Sequence, residues 1–415
     1  MAASALSYAD ALAAVLASAV PVGREQVAVA DAYGRALAQP IVSPVALPPW
    51  DNAGMDGYAV RIADAHSATA DAPVTLRVVG TVAAGADPSA LPTVGVGEAV
   101  RIMTGAPVPP GADAVVRIED TDAGLTQVRI GDARDLHGRG NIRPNGEDIA
   151  RGDTLFADGT TLGPSHLGAL ASVGCALVPV HRRPRVTLLS GGDELVLLDR
   201  FDEVLAGRRI VSSSTYALPA LLRTAGADVT VAPLMPDTLA DTMRAIESAV
   251  AAGCDVLVTT GGVSVGAHDY TRDALVQLGG TLDFWRARIR PGGPIGTGHV
   301  LGVPWLGLPG NPVSSMVTGS LFAWPLLRRL GGHARTAHRQ LSVTFTDHFE
   351  TPAPLTYFVR VLLDRRADGG YDARLAGPQG SNLLRTMALA EALLVVPDDW
   401  SAARPGDVFD AVLLP

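Results

Sequence analysis

The chain is 415 residues long, which at roughly 150 residues per domain points to about three domains and excludes a single compact core. Hydrophobic residues at 47% and charged ones at 18% exclude a disordered solvating chain, and the 45 glycines and 30 prolines follow no Gly-X-Y period, so they announce loops rather than collagen. A net charge of −9 argues against a nucleic-acid binder and leaves room for a small anion held in a local site.

The Ala-rich start lacks the basic n-region of a signal peptide and carries Asp10. Ser7 and Asp10 resemble a capping box, and Leu12, Val15 and Leu16 follow at helical spacing, so an amphipathic helix is expected. No apolar run approaches the eighteen or so residues of a membrane span. Cys175 and Cys254 show no CxxC spacing and read as core thiols of a reducing compartment, which makes the expected location cytoplasmic with no membrane partner.

From Arg24 to Tyr58 the chain is broken by Pro40, Pro44, Pro48 and Pro49 and allows only short extended pieces. Val74–Val82, Ala99–Met103 and Ala114–Ile118 read as strands of a small β module closed by a polar stretch, Asp120–Asn145. After Pro184 the pattern becomes β-α-β-α-β: strands at Val186–Leu189, Asp228–Pro233 and Val256–Thr260, helices at Tyr216–Thr224 and Thr238–Ala252. Helix-sized spacers between apolar strands predict a mostly parallel, three-layer α/β domain. Residues Gln340–Pro415 return to alternating strands and predict a C-terminal β-barrel-like domain.

Three loops follow strands of the predicted sheet: Ser190-Gly191-Gly192-Asp193-Glu194, Thr260-Gly261-Gly262-Val263-Ser264-Val265-Gly266 and Leu308-Pro309-Gly310-Asn311-Pro312-Val313-Ser314. Glycines at such turns let backbone amides approach an anion, and Asn311 with Pro312 suits the start of a helix over Val313–Phe322. Asp193, Glu194, Asp237 and Asp269 stand beside these loops, the hard oxygen donors that Mg²⁺ takes. Arg286, Arg288 and Arg290 alternate, so on a strand they form a cationic row or a salt-bridged edge. The stretches Trp50–Tyr58 and Asn141–Asp148 are acid- and glycine-bearing turns. No Walker P-loop, GxGxxG, HExxH or GxSxG pattern accompanies them.

Read together, WDNAGMDGYAV (50–60), RIMTGAPVP (101–109), NIRPNGEDI (141–149), GGDEL (191–195), GGVSVG with DYT (261–271), LPGNPVS (308–314) and GPQGS (377–381) resemble, in family order, the MoeA/gephyrin family of molybdopterin molybdenumtransferases. The resemblance implies an elongated multidomain subunit. Its parts would be a discontinuous connector and dimerisation domain (1–60 and 141–183), an inserted β-rich domain (61–140), an α/β molybdopterin-binding domain (184–332) and a C-terminal β-domain (333–415). It implies a homodimer that uses Mg²⁺ to cleave adenylated molybdopterin, releases AMP and inserts molybdate, with the adenylyltransferase of the same pathway as a partner.

By motif, Asp56 and Asp148 match acids that reach the cleft across the dimer, and Glu194, Asp237 and Asp269 match acids of the pterin domain, with Glu194 and Asp269 as metal ligands. Arg286 and Arg290 take catalytic positions. Gly191, Gly192, Gly261, Gly262, Ser264, Gly310 and Asn311 line the pterin site, and Ser314, Arg360 and Ser381 match the molybdate pocket. Several positions depart from the family pattern. Arg286 and Arg290 replace Lys, a planar fork for a compact ammonium. Gly293 replaces a further Lys, Ser190-Gly191-Gly192 stands for Ser-Thr-Gly, Ser212-Ser213-Ser214 stands for Asp-[Ser/Thr]-Asn, and Ala267 stands where Glu is common. These departures motivate an alternative, a catalytically weakened paralogue serving as a dimeric scaffold.

Overall fold

The computed structural model describes residues 5–17, 19–134, 136–262, 270–352 and 354–415. They divide into two compact units, residues 40–157 with 168–176, and residues 1–39 with 158–167 and 177–415.

The first of these units is built on a five-stranded sheet of β1 (Gly57–Val60), β2 (Val74–Val82), β3 (Glu98–Ile102), β4 (Ala114–Arg117) and β5 (Gln127–Ile130), in the order β4-β1-β3-β2-β5. Successive residues of a strand face opposite sides, and here each side has its own core. Tyr58 and Val60 pack with Leu76, Val116 and Ile130, whereas Ala59 packs with Val82, Val100 and Val115. Strand β5 falls in the stretch read from the sequence as polar closure. The acid-bearing turns flagged in the sequence meet: Asn52–Ala53 pairs antiparallel with Ile142–Arg143, and the Gly54 amide donates to the Asn141 carbonyl at 2.7 Å.

The larger unit begins with α1 (Tyr8–Ala17), whose N-terminus carries the expected box: the Ser7 hydroxyl accepts the Asp10 amide at 3.1 Å and donates to the Asp10 carboxylate at 2.6 Å. Its central sheet comprises β6 (Arg185–Ser190), β7 (Asp228–Val231), β8 (Val256–Thr260), β9 (Thr281–Phe284), β10 (Gly296–Val300) and β11 (Val303–Leu308), ordered β7-β6-β8-β11-β10-β9. The first four are parallel, and β10 alone runs opposite, pairing antiparallel with both β11 and β9. Four helices, α2 (Ser214–Thr224), α3 (Leu239–Ala251), α4 (Tyr270–Gln277) and α5 (Pro312–Thr318), cover its faces. Leu218, Leu222, Val313 and Val317 pack with Leu188, Val258 and Leu306 on one face; Ile246, Ala249 and Leu275 pack with Leu189, Leu257 and Trp305 on the other. This is the three-layer, mostly parallel arrangement expected.

The helix expected over Val313–Phe322 continues, after α5, through a π turn at Gly319–Ala323 into α6 (Trp324–Leu330). Gly319 allows close approach there, because a Cβ would lie 3.0 Å from Leu221 Cδ2.

The C-terminal strands β12 (Gln340–Phe345), β13 (Thr356–Arg365), β14 (Tyr371–Leu375), β15 (Ala392–Val396) and β16 (Val408–Leu413) close into a barrel in the cyclic order β13-β14-β12-β16-β15. Phe345, Tyr357, Val359, Leu394 and Phe409 fill its interior. Closure removes the free edges that an open sheet of this length would present. A short strand, Ile289–Arg290, adds in parallel beside Thr356–Tyr357.

Candidate functional site

The three glycine loops leave the carboxyl ends of β6, β8 and β11, which are neighbours in the sheet, and they pack on one another. The Gly261 amide donates to the Leu308 carbonyl at 3.1 Å, the Thr260 hydroxyl to the Pro309 carbonyl at 3.0 Å, and a Cβ on Gly310 would lie 3.4 Å from Gly261 Cα. Gly261 and Gly262 have positive φ, at 85° and 69°. Gly192 does too, at 146°, and a Cβ there would sit 2.8 Å from Glu194 Oε2, so the carboxylate folds back over bare backbone.

These loops enclose a cavity of about 460 Å³, completed by the Ile210–Ser214 segment and Asp237. The first loop and the turn before α3 are tied reciprocally. The Asp193 amide donates to Asp237 Oδ2 at 3.1 Å and the Asp237 amide to Asp193 Oδ1 at 3.2 Å. The Gly192 amide donates to the Met235 carbonyl at 3.3 Å. Several loop amides are thus engaged with protein, which differs from the open amide cradle that the glycine content suggested.

The structure therefore brings Gly191, Gly192, Glu194, Asp237, Gly261, Gly262, Gly310 and Asn311 around one cavity. Ser264 and Asp269 lie outside the described residues, as does Ala267. Among the described residues no group of three His, Cys, Asp or Glu side chains could hold a metal. Among the described residues, Glu194 and Asp237 are the carboxylates lining the cavity.

Beside this cavity the start of α5 meets the barrel. The Val313 amide donates to the Ser381 carbonyl at 3.2 Å. Asn311 holds the N-cap position, yet its side chain does not cap; its amide reaches the Ser381 hydroxyl at 3.4 Å, a partner seventy residues away that local reading could not supply. Ser314, one turn into α5, is buried.

Arg360, on β13, is only 1% exposed and has no carboxylate partner among the described residues. One terminal nitrogen donates to the carbonyls of Pro378 and Gly380 at 3.0 and 3.2 Å, while Nε has no partner among the described residues. Burial of this uncompensated cation lowers its pKa. Gln379, which sequence reasoning missed, pins the loop: its side chain accepts from the Arg360 amide at 2.9 Å and donates to the Arg360 and Gly377 carbonyls at 3.0 and 2.8 Å.

In the other unit, Asp56 is exposed and accepts the Thr104 amide at 2.6 Å and hydroxyl at 2.8 Å. These bonds to the charged form hold its carboxyl below the usual range. Asp148 is exposed, its amide bonded to the Leu47 carbonyl at 3.0 Å. Asp51 joins the flagged turns, accepting from the Asn145 amide at 2.8 Å and pairing with Arg139.

Residues 6–174 match the MoeA N-terminal region (domain I and II), 187–329 a probable molybdopterin binding domain, and 342–414 the MoeA C-terminal region (domain IV). A protein of Mycobacterium tuberculosis named molybdopterin molybdenumtransferase 2 is 38% identical over 375 residues, covering 89% of this chain and 90% of its own length. The chain belongs to the MoeA family, that of the molybdopterin molybdenumtransferases.

A molybdopterin molybdenumtransferase of a Nostoc species is 36% identical, covering 88% of this chain and 83% of its own length. The crystal structure of the molybdopterin biosynthesis MoeA protein of Pyrococcus horikoshii OT3 superposes with a TM-score of 0.84 at 26% identity, covering 99% of this chain and 100% of that one. The MoeA fold thus accounts for the mixed sheet and the closed barrel together.

Against the MoeA pattern, the arginine row keeps the alternation expected: Arg286, Arg288 and Arg290 are exposed, with Ala287 and Ile289 buried between them. The strand itself covers only Ile289–Arg290, and Ala287 forms a parallel bridge to Leu6, whose amide donates to the Arg286 carbonyl at 3.1 Å and whose carbonyl accepts the Arg288 amide at 2.7 Å. Arg288 lies 3.6 Å from Asp398, and the Arg290 guanidinium lies 6.0 Å from the Tyr357 ring. Arg286 and Arg290 have no carboxylate partner among the described residues. The next turn presses on α5, since a Cβ on Gly292 would lie 2.3 Å from Thr318 Cγ2.

Proposed function

We propose that this chain catalyses the metal-insertion step of molybdenum cofactor biosynthesis: adenylated molybdopterin and molybdate are the substrates, AMP and molybdenum-charged cofactor the products, with Mg²⁺ required. The observation that carries this reading is the cavity where three glycine loops and the carboxylates of Glu194 and Asp237 converge. Bound Mg²⁺ would supply charge neutralisation for a phosphoanhydride; Glu194 and Asp269 are the side chains assigned to hold it, with Asp237 as a neighbouring catalytic acid. Arg360, buried without a carboxylate, is assigned with Ser381 and Ser314 to the molybdate pocket, because a buried uncompensated cation favours an oxyanion. Arg286 and Arg290 supply further positive charge beside the start of the barrel.

The working unit in this reading is a cytoplasmic homodimer in which Asp56 and Asp148 enter the cleft from the second subunit. Its substrate comes from the adenylyltransferase of the same pathway. Purified protein given adenylated molybdopterin, Mg²⁺ and molybdate should release AMP and restore activity to a molybdenum-cofactor-dependent enzyme, and EDTA should stop both. Tight molybdopterin binding without AMP release would favour the scaffold alternative, which Gly293 and Ser212 motivate by removing a cation and an acid from their usual places.

A further inference from the structure

Strand β14 ends at Leu375, so its ladder with β13 stops at the Val361–Leu375 pair, one residue short of Arg360. The Ala376 amide still reaches the Arg360 carbonyl at 3.0 Å, but at Gly377, with φ at 129°, the chain leaves the sheet for the 377–381 loop. A strand whose neighbour departs is left with backbone groups to satisfy.

Gln379 supplies what the departing strand takes away. Its Oε1 accepts the Arg360 amide at 2.9 Å, and its Nε2 donates to the Arg360 and Gly377 carbonyls at 3.0 and 2.8 Å. A side-chain amide carries the same donor and acceptor as a peptide group, so Gln379 continues the ladder in place of backbone. The loop is thereby fastened to the strand residue whose guanidinium it meets.

What the loop carries gives that fastening its use. The carbonyls of Pro378 and Gly380, on either side of Gln379, accept from Nη2 of Arg360 at 3.0 and 3.2 Å. Ser381 follows at once, its carbonyl accepting the Val313 amide at the start of α5. Carbonyl dipoles solvate a buried guanidinium without cancelling its charge, which leaves the cation available to an anion. Nε of Arg360 is enclosed, whereas Nη1 bonds no described residue and is not enclosed. The direction of Nη1 follows from the two carbonyls that hold Nη2, and the place of those carbonyls follows from the residue between them.

We propose that Gln379 is a positioning residue for the oxyanion substrate: its side-chain amide fixes the Pro378 and Gly380 carbonyls and through them aims the Arg360 guanidinium. This rests on the functional reading above, which assigns Arg360 to molybdate, and adds to it the residue that sets the geometry of the pocket.

The test compares the full-length wild-type protein with Gln379→Ala and with Gln379→Met, which keeps the length of the side chain and none of its hydrogen bonds. Molybdate alone and pterin alone are titrated by calorimetry, and cofactor formation is followed against molybdate concentration. The expected result in each variant is a molybdate Kd weakened roughly tenfold, with the molybdate KM raised in step and kcat at saturating molybdate unchanged, the mark of lost ground-state binding. The pterin Kd should not move, because the glycine loops are tied to one another through the Leu308 and Pro309 carbonyls and not through Gln379. Should Gln379→Ala not fold, Gln379→Met decides; failure of both to fold makes the residue structural and overturns the assignment. So does a loss that falls equally on pterin, or a fall in kcat with an unchanged molybdate KM. A wild-type protein that binds molybdate while the variants bind it equally well defeats this inference alone. A wild-type protein that binds no molybdate and forms no cofactor defeats the functional reading as well.

Discussion

The two ends of the central sheet are built from the same strands and solve opposite problems. At the amino end, charges are matched: Arg182 grips Asp255 with two bonds of 2.8 Å, and the Arg185 amide donates to the same carboxylate at 2.7 Å. Beside the turn that leads into β7, His333 bonds the Thr161 hydroxyl at 2.8 Å, and Arg328 donates to that hydroxyl at 2.8 Å. At the carboxyl end, Glu194 and Asp237 have no cationic partner among the described residues, and glycines replace side chains. One end is organised for cohesion, and the other keeps its polar groups for a ligand.

This contrast can be broken most directly at Glu194. Glu194→Gln should reduce AMP release on the order of 100-fold or more, as loss of a metal-holding carboxylate does, and leave the melting temperature unchanged; a large fall in melting temperature would make the residue structural. At the opposite end the outcome should invert. Asp255→Ala should cost about 2–3 kcal/mol in urea unfolding, because it unpairs Arg182 and orphans the Arg185 amide, while AMP release per folded molecule stays normal.

The pH dependence sharpens the same contrast. Burial pushes the Asp255 carboxyl up, but the Arg182 fork and the Arg185 amide outweigh it and leave the pKa below 3.8. Its stabilisation is complete above that value and is lost as pH falls through the lower folded one.

The smallest effect belongs to His333, whose pKa is pushed down to about 3 by burial first and Arg328 second. Protons then bind the unfolded chain more readily than the folded one below about pH 6.5, so stability declines as pH falls from there toward 3. Between pH 6.5 and 5 the loss should be about 1–2 kcal/mol. Thermal melts of His333→Gln should show that slope flattened, and an unchanged slope would assign it to other groups.

Much of this arrangement was legible in the sequence where the signal is local. Three of the parallel strands, β6, β8 and β11, are apolar runs followed within two residues by glycine, and their loops lie at one edge. The antiparallel extension was not legible, because β9 and β10 are short and their strand character comes from pairing with each other and with β11. Asn311 reads as a helix cap by type and serves a barrel loop through tertiary contact. Arg360 is found by its motif, yet its lack of a counter-charge is a property of everything around it.

The π turn at Gly319–Ala323 carries a design implication for this helix. Each residue advances an α-helix by about 100°, so the wider turn sets α5 and α6 out of phase with a single continuous spiral. The half whose Val313 amide meets Ser381 can thereby keep its bearing while the half bearing Leu326, Leu327 and Leu330 keeps its seat in the core. Removing one residue there would straighten the spiral and swing one of these faces away from its station. The helix behaves as two rods joined by a fixed rotational offset, which lets recognition and packing be adjusted separately.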